Sequence, residues 1–175
     1  MTSFDFKEAL GGSISILKID RIVHSVESNP EEFPVIFNLM FDEDIKVSWR
    51  AVWTCEKLSE RHPDWFIPKQ NELIEILLAT THDGKKRLYL SILSNLPLPE
   101  PYSVALLDFT MDKMLDPEES IGVQALSVKL AYRLCKIDPD LLYEFKLRLQ
   151  SADMINYSKG LRASVRNILK KVGGS

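Results

Sequence analysis

Apolar and polar side chains follow one another along this chain with the period of an α-helix. Between residues 45 and 58, one apolar stripe at helical spacing consists of Val47, Ala51, Cys55 and Leu58. A second stripe, on roughly the opposite side, consists of Ile45, Trp49 and Val52. A helix that is apolar on two sides packs between two neighbours, so we expect other helices to enclose this one. No two-residue alternation bounded by hairpin signals occurs, and we expect no sheet.

Similar helices are predicted further along the chain. The apolar stripe of one would consist of Ile121, Ala125, Val128 and Tyr132, and that of another of Leu161, Val165, Ile168 and Val172. An apolar segment at residues 73–78 predicts a helix that precedes one of these. Residues 14–28 are also rich in isoleucine, and they predict an additional helix that covers the open end of the first unit.

The helices recur as pairs. Pro34, Pro68 and Pro101 are 34 and 33 residues apart, and proline suits the first turn of a helix because the N–H groups there have no intrahelical partner. One position of the second helices, which we call the anchor, recurs at intervals of 37, 37 and 38 residues and is occupied by Arg50, Arg87, Gln124 and Arg162. In the fourth unit, Val165-Arg166 is an alternative anchor. Six residues before these anchors stand three good N-cap residues, Asp44, Thr81 and Asn156. A period in the high thirties with two helices per unit indicates an α-solenoid.

The units resemble HEAT repeats, which belong with the armadillo-like α-solenoids. An early proline, an Asp-type residue at the second helix, and then Arg followed by a small residue make up the HEAT pattern, and Asp44 with Arg50-Ala51 matches it best. The resemblance implies an all-α fold, a right-handed α-α superhelix of about four helix pairs with an N-terminal capping helix. We expect a single HEAT-like domain over residues 1–175, with the cap at 1–28 and repeats at 29–64, 65–98, 99–137 and 138–172.

Charge is distributed unevenly over the 175 residues, whose formal net charge is −3. Residues 1–140 carry 15 basic and 23 acidic side chains, a net charge of −8, whereas residues 141–175 carry 7 basic and 2 acidic ones, a net charge of +5. An acidic body with a basic end could orient a charged partner. Only two cysteines are present and no signal peptide is recognisable, so we expect a cytoplasmic protein. The densest apolar run, residues 73–79, is too short for a membrane span, and we expect no membrane association.

Residues that could carry out chemistry are scattered. The three histidines, His24, His62 and His82, lie in different units, and no metal-binding motif occurs. The acidic run 42–44 lacks the glycine of a calcium loop and is interpreted as a turn and N-cap. Cys55 lies on an apolar stripe, where a thiol behaves as a small hydrophobic group. We therefore expect no catalytic residue, no metal and no cofactor.

Two surfaces are candidate binding sites. The first is one face of a helix, on which spacings of 4, 3 and 4 residues place Lys46, Arg50, Trp53 and Lys57. Arg87 and Gln124 would continue this face along the predicted concave side. The alternative is structural, with Trp53 packed against the next repeat and Arg50 holding the turn at Asp44. The second surface is a basic stripe formed by Lys159, Arg162, Arg166 and Lys170. This stripe could hold phosphates or an acidic partner. Alternatively, it is the polar cap that a terminal repeat needs.

We therefore expect a non-catalytic HEAT-repeat scaffold that binds a protein or peptide on its concave face. The alternative is a nucleic-acid-binding protein that resembles the HEAT-like DNA glycosylases, which use basic concave grooves and aromatic residues. Trp49, Trp53 and the basic stripe support this alternative, whereas a sequence pI of about 5.7 opposes it, and we rank it second.

Overall fold

Helices make up nearly all of the regular structure. The structure, a computed structural model, describes residues 5–13 and 15–173, and this part of the chain contains ten α-helices and no strand. The α-helices are α1 (Phe6–Gly11), α2 (Ile16–Ser28), α3 (Phe33–Leu39), α4 (Ile45–Arg61), α5 (Gln70–Ala79), α6 (Asp83–Asn95), α7 (Val104–Lys113), α8 (Ile121–Cys135), α9 (Pro139–Ser151) and α10 (Lys159–Gly173). Short 3-10 turns lie at Pro30–Glu32, Pro63–Trp65, Ile67–Lys69 and Met154–Asn156.

The chain forms two compact units, Met1–Pro68 and Lys69–Ser175. One helix pair, α3 with α4, falls in the predicted repeat at 29–64, and the pairs α5 with α6, α7 with α8 and α9 with α10 fall in the three that follow. The expected capping helix is α2, although Ile14 lies outside the described residues. Helix α1 was not predicted, because six residues are too few for a periodic signal. The single domain over residues 1–175 stays a prediction.

Capping residues start most of these helices. The predicted N-cap at Asp44 is confirmed, since its carboxylate accepts a hydrogen bond of 2.8 Å from the backbone N–H of Lys46. Those at Thr81 and Asn156 are wrong, because the caps are His82 and Ser158, whose side chains accept from N–H groups three residues later. The caps Asp44, His82 and Ser158 lie 6, 5 and 4 residues before their anchors, so a fixed offset from the anchor misses the cap.

Helix α4 is the centre of the first unit, where α1, α2 and α3 pack against it. Its predicted stripe of Val47, Ala51, Cys55 and Leu58 is confirmed, because all four side chains are buried. The second stripe is only partly right. Val52 is buried, but Trp49 is half-buried and Ile45 is 53% exposed, because Ile45 is the first residue of the helix and extends beyond the neighbouring helices.

Helix α8 has the same role in the second unit, where α6, α7, α9 and α10 pack against it. The predicted stripe of α8 was wrong in its phase, since Val128 is buried but Ala125 and Tyr132 are half-buried and Ile121 is 59% exposed. Four neighbours bury a broader and differently oriented face, which includes Val123, Gln124, Ser127, Leu130, Ala131 and Leu134. In α10 the predicted Leu161, Val165 and Ile168 are buried, and Val172 is half-buried.

A buried network of ion pairs joins α6, α7 and the loop before α8. The ammonium of Lys86 lies 2.7 and 2.8 Å from the two carboxylate oxygens of Glu119, and Lys113 lies 3.0 Å from one of them. Lys113 also pairs with Asp116 at 2.9 Å. Burial by itself raises the pKa of Glu119, but the hydrogen bonds from Lys86 and Lys113 outweigh it and hold the pKa below its usual value. Glu119 is therefore ionised at neutral pH, and Glu119 and Asp116 together balance the charges of Lys86 and Lys113.

A second cluster, in the first unit, surrounds the carboxylate of Glu27 on α2. Its oxygens lie 3.1 Å from His24 Nδ1, His62 Nε2 and Arg61 Nη1. The imidazole of His62 also stacks on Trp65 with ring centroids 4.3 Å apart. Burial raises the pKa of Glu27, but the hydrogen bonds from His62 and Arg61 lower it by more, so that it lies below its ordinary value. The cluster links α2 to the end of α4.

The lowered pKa of Glu27 predicts how the stability contributed by its carboxylate changes with pH. A carboxyl group whose pKa is lower in the folded chain stabilises the fold above its unfolded pKa, and this contribution is lost as pH falls through the folded pKa. The difference in unfolding free energy between the natural chain and Glu27→Gln should therefore shrink as pH falls below the ordinary glutamate value. Urea denaturation from pH 7 to pH 3 measures it. The control is Glu60→Gln at an exposed position, and an equally large pH effect there would contradict the prediction.

Candidate functional site

The first candidate surface lies on α4, where its arginine makes contacts within the protein. Nη1 of Arg50 donates hydrogen bonds to the backbone carbonyls of Leu10 and Gly12, the second at 2.7 Å. These carbonyls belong to the last turn of α1 and the residue after it, so Arg50 holds α1 against α4. Arg50 therefore has a structural role, but it holds the end of α1 and not the turn at Asp44.

The remaining residues of this surface are engaged to different degrees. Lys57 forms an ion pair with Asp20 of α2, with 3.2 Å between Nζ and Oδ1. Trp53 is half-buried, and its ring lies at 36° to that of Trp49 with centroids 5.9 Å apart. Lys46 is exposed. A ligand on this face would therefore have to displace contacts that hold the first unit together.

Of the two residues predicted to continue this surface in the second unit, Arg87 is exposed and Gln124 is buried. The stem of Arg87 crosses α8 at Gly122, where a β-carbon would lie only 2.6 Å from Arg87 Cδ. Arg87 is exposed, and its flexible side chain can move aside for a larger residue at this position. Gln124 is buried, and its amide nitrogen donates a hydrogen bond of 2.7 Å to the carbonyl of Asp116. Gln124 therefore ties α8 to the preceding loop, whereas Arg87 only lies against α8.

The second candidate surface forms one side of an open cleft between α9 and α10, with a volume of about 730 Å³. Leu149 and Val165 are buried in its floor, and Ala152, Met154 and Leu169 are half-buried. The polar side chains that line the cleft are Gln150, Arg162, Arg166 and Lys170. Three of the four predicted basic residues thus border one apolar depression, and the fourth, Lys159, is exposed in the first turn of α10.

The cations of this cleft have no acidic partner among the described residues. Arg162 is half-buried, Arg166 and Lys170 are exposed, and none of the three side chains forms an ion pair with residues 5–13 or 15–173. The acidic residues nearest in sequence are used elsewhere. Glu144 pairs with Arg148 at 3.0 Å, and Asp153 caps the 3-10 turn at Met154–Asn156. The cleft therefore combines uncompensated positive charge with apolar walls.

The two thiols are not activated, and no metal-binding cluster is assembled in the part of the chain that the structure describes. Burial raises the pKa of the Cys55 thiol and raises that of Cys135 to about 11, so both thiols are protonated at neutral pH. Among residues 5–13 and 15–173, no three His, Cys, Asp or Glu side chains are placed to hold a metal ion. No helix in the same ranges is both long and apolar enough to cross a bilayer.

Comparison with known proteins identifies the family. The sequence matches the HEAT repeat domain family over residues 6–172. The chain belongs to the HEAT-repeat family. Its all-α architecture in repeated helix pairs agrees with this membership, and HEAT repeats are generally non-catalytic scaffolds that mediate protein interactions. No curated protein and no solved structure matches the chain.

Sequence reasoning found the basic edge of this HEAT-repeat cleft but missed its apolar walls. Arg162, Arg166 and Lys170 share one face at four-residue spacing, which a helical pattern reveals. Leu149 and Met154 come from α9 and the 3-10 turn after it, and no pattern in the sequence says that they face α10. The turn at residues 151–158 is the feature that could have indicated this, because it folds the chain back so that α10 lies against α9.

Proposed function

We propose that this HEAT-repeat protein is a non-catalytic scaffold that binds a protein or peptide, and that the cleft between α9 and α10 is the contact site. Helix α10 is the last of the second helices, which the sequence predicts to line the concave face. The observation that carries the proposal is the row Arg162, Arg166 and Lys170 along an apolar depression, three cations that have no acidic partner among the described residues. A protein surface with both properties is typical of an interaction site.

The contrast with α4 favours this location. Arg50 and Lys57 already satisfy two carbonyls and a carboxylate of their own unit, so their charge is not available without loss of internal contacts. The cations of the cleft can pair with an incoming group at no such cost. Of the two predicted surfaces, the basic stripe on α10 is therefore the better site.

A protein partner fits the cleft better than a nucleic acid. Ala152, Met154 and Leu169 are half-buried and offer apolar contact area that a phosphate backbone cannot use. A protein segment can fill this area with apolar side chains while its carboxylates meet the arginines. The net charge of −8 over residues 1–140 also repels a long polyanion.

Site-specific photo-crosslinking in the native cells tests the proposal. The crosslinking residue p-benzoylphenylalanine replaces Gln150, which is exposed and lines the cleft, or replaces Lys129, which is exposed on α8 and does not line it. The expected result is a discrete protein adduct from position 150 that is absent from position 129. This adduct should disappear when Arg162→Glu and Arg166→Glu are added. Circular dichroism melting confirms that each variant is folded.

Three results would contradict the proposal. One is the same adduct from both positions, which indicates non-specific capture. Another is an adduct that survives both charge reversals in a folded chain. The third is the absence of a protein adduct, whether or not the cleft then crosslinks to nucleic acid.

A further inference from the structure

We propose that the partner enters the α9/α10 cleft as an amphipathic α-helix with carboxylates along one edge and apolar side chains beside them. This inference rests on the proposed function and specifies the partner. The cleft supplies both halves of the recognition, with a row of cations on α10 and apolar side chains from α9, α10 and the turn between them.

The spacing of the cations matches a helix. Arg162, Arg166 and Lys170 follow one another at four-residue intervals, which at the rise of an α-helix places their Cα atoms about 6 Å apart along the axis. A helix that lies alongside α10 presents its own residues i, i+4 and i+8 at the same interval of about 6 Å. Aspartate or glutamate at these positions would meet the three cations in register.

Backbone hydrogen bonding favours a helix over an extended peptide. An extended segment that does not join the edge of a sheet must pair its N–H and C=O groups with water or with side chains. The described residues contain no strand to provide such an edge, and the backbone groups within α9 and α10 are bonded internally. A helical segment satisfies its own backbone and can bury its apolar face in the depression without this penalty.

Large apolar side chains are exposed near the cleft on α9 and the turn that follows it. They indicate where the apolar face of the partner would make contact. Met154 and Leu169 line the cleft and are half-buried. On α9 and the following turn, Tyr143, Leu147 and Ile155 are 63%, 43% and 80% exposed. Tyr143 and Leu147 share a face of α9 with Gln150, which lines the cleft, so they extend the apolar surface that the partner would contact.

The charge of this region shows that the partner supplies the anions. Residues 141–175 contain seven basic side chains against two acidic ones, Glu144 and Asp153. Glu144 neutralises Arg148, and Asp153 accepts a backbone hydrogen bond of 3.1 Å from Ile155. Neither forms an ion pair with the cations of the cleft, so an acidic segment can pair with them without displacing an internal carboxylate.

Selection from a phage-displayed library of random 16-residue peptides tests this inference. The bait is the full chain, and phage that also bind the variant with Arg162→Glu and Arg166→Glu are removed before each round. We expect the enriched peptides to carry Asp or Glu at four-residue spacing, with apolar residues three or four positions apart on the adjoining face. Circular dichroism of a selected peptide should show more helix when the full chain is added.

Affinity measurements on a selected peptide complete the test. Fluorescence anisotropy should give a Kd about tenfold weaker for the milder variant with Arg162→Gln and Arg166→Gln, the loss expected for two exposed ion pairs. Met154→Glu should weaken binding as well, by placing a like charge against the acidic peptide. The matched control reverses two exposed cations outside the cleft, Arg21→Glu and Lys129→Glu, and should leave the Kd unchanged.

The inference is overturned if the enriched peptides lack acidic residues, if they stay non-helical when bound, or if the control variant loses as much affinity as the cleft variant. Tighter cleft-dependent binding of a 16-nucleotide single-stranded DNA would also overturn it. These outcomes are separate from failure of the proposed function. A protein adduct at position 150 without acidic helical peptides leaves the scaffold role intact and refutes only the chemistry of the partner.

Discussion

Glu119→Ala should lower the free energy of unfolding by about 3 to 5 kcal/mol, the cost of breaking a buried ion pair from one side. Lys86 is only 9% exposed, and Glu119 supplies both of its carboxylate contacts at 2.7 and 2.8 Å. Without Glu119, the ammonium keeps only the distant carboxylate of Asp83 at 3.6 Å. Urea denaturation at pH 7, followed by helical ellipticity, measures the loss.

Two further variants test whether the loss of stability comes from the unpaired charge of Lys86 and not from substitution in general. The double variant Lys86→Met with Glu119→Leu removes both charges and should recover most of the lost stability, because buried ion pairs can be replaced by packed apolar groups. Glu72→Gln breaks the exposed pair with Lys69 and should cost less than about 1 kcal/mol. If Glu119→Ala costs no more than Glu72→Gln, the buried network does not stabilise the fold.

Arg50→Ala should cost about 2 to 4 kcal/mol and release α1 from α4. The variant loses two charge-assisted hydrogen bonds to the carbonyls of Leu10 and Gly12, each of which contributes more than a neutral one. Helix α1 has only six residues and cannot persist without its contacts, so Phe6 and Leu10 should become exposed. Hydrogen exchange of the α1 amides should accelerate more than exchange in α8.

Lys46→Ala is the matched control for Arg50→Ala, because Lys46 is a cation on the same helix but is exposed. It should change the unfolding free energy by less than about 0.5 kcal/mol and leave the exchange of α1 unchanged. Unchanged protection of α1 in Arg50→Ala would show that the arginine does not hold it, and the α4 surface would become available for binding again.

The helix pairs were predictable because apolar periodicity is a strong signal over ten or more residues. The stripe of Val47, Ala51, Cys55 and Leu58 is a clear example, since all four side chains are buried as expected. The phase of α8 was not predictable in the same way. Its buried face depends on four neighbouring helices, and a buried Gln124 cannot be distinguished in the sequence from one that faces solvent.

The basic edge of the candidate site was predictable from the sequence. Whether a cation on α4 or α10 is engaged within the protein or exposed to solvent was not. Arg50 and Arg166 look alike in the sequence, yet Arg50 binds two backbone carbonyls and Arg166 is exposed. A carbonyl acceptor belongs to every residue and leaves no mark in the amino-acid pattern. Only the structure therefore distinguishes a cation that holds the fold together from one that is available to a partner.

The burial of both cysteines makes the natural chain convenient for single-site labelling. Cys55 and Cys135 are the only thiols in the sequence, and neither side chain is accessible to solvent. Maleimide reagents need an accessible thiolate, and these two groups offer none in the native state. A cysteine introduced in place of Gln150 thus becomes the one attachment point for a fluorophore beside the cleft, with both natural cysteines left in place.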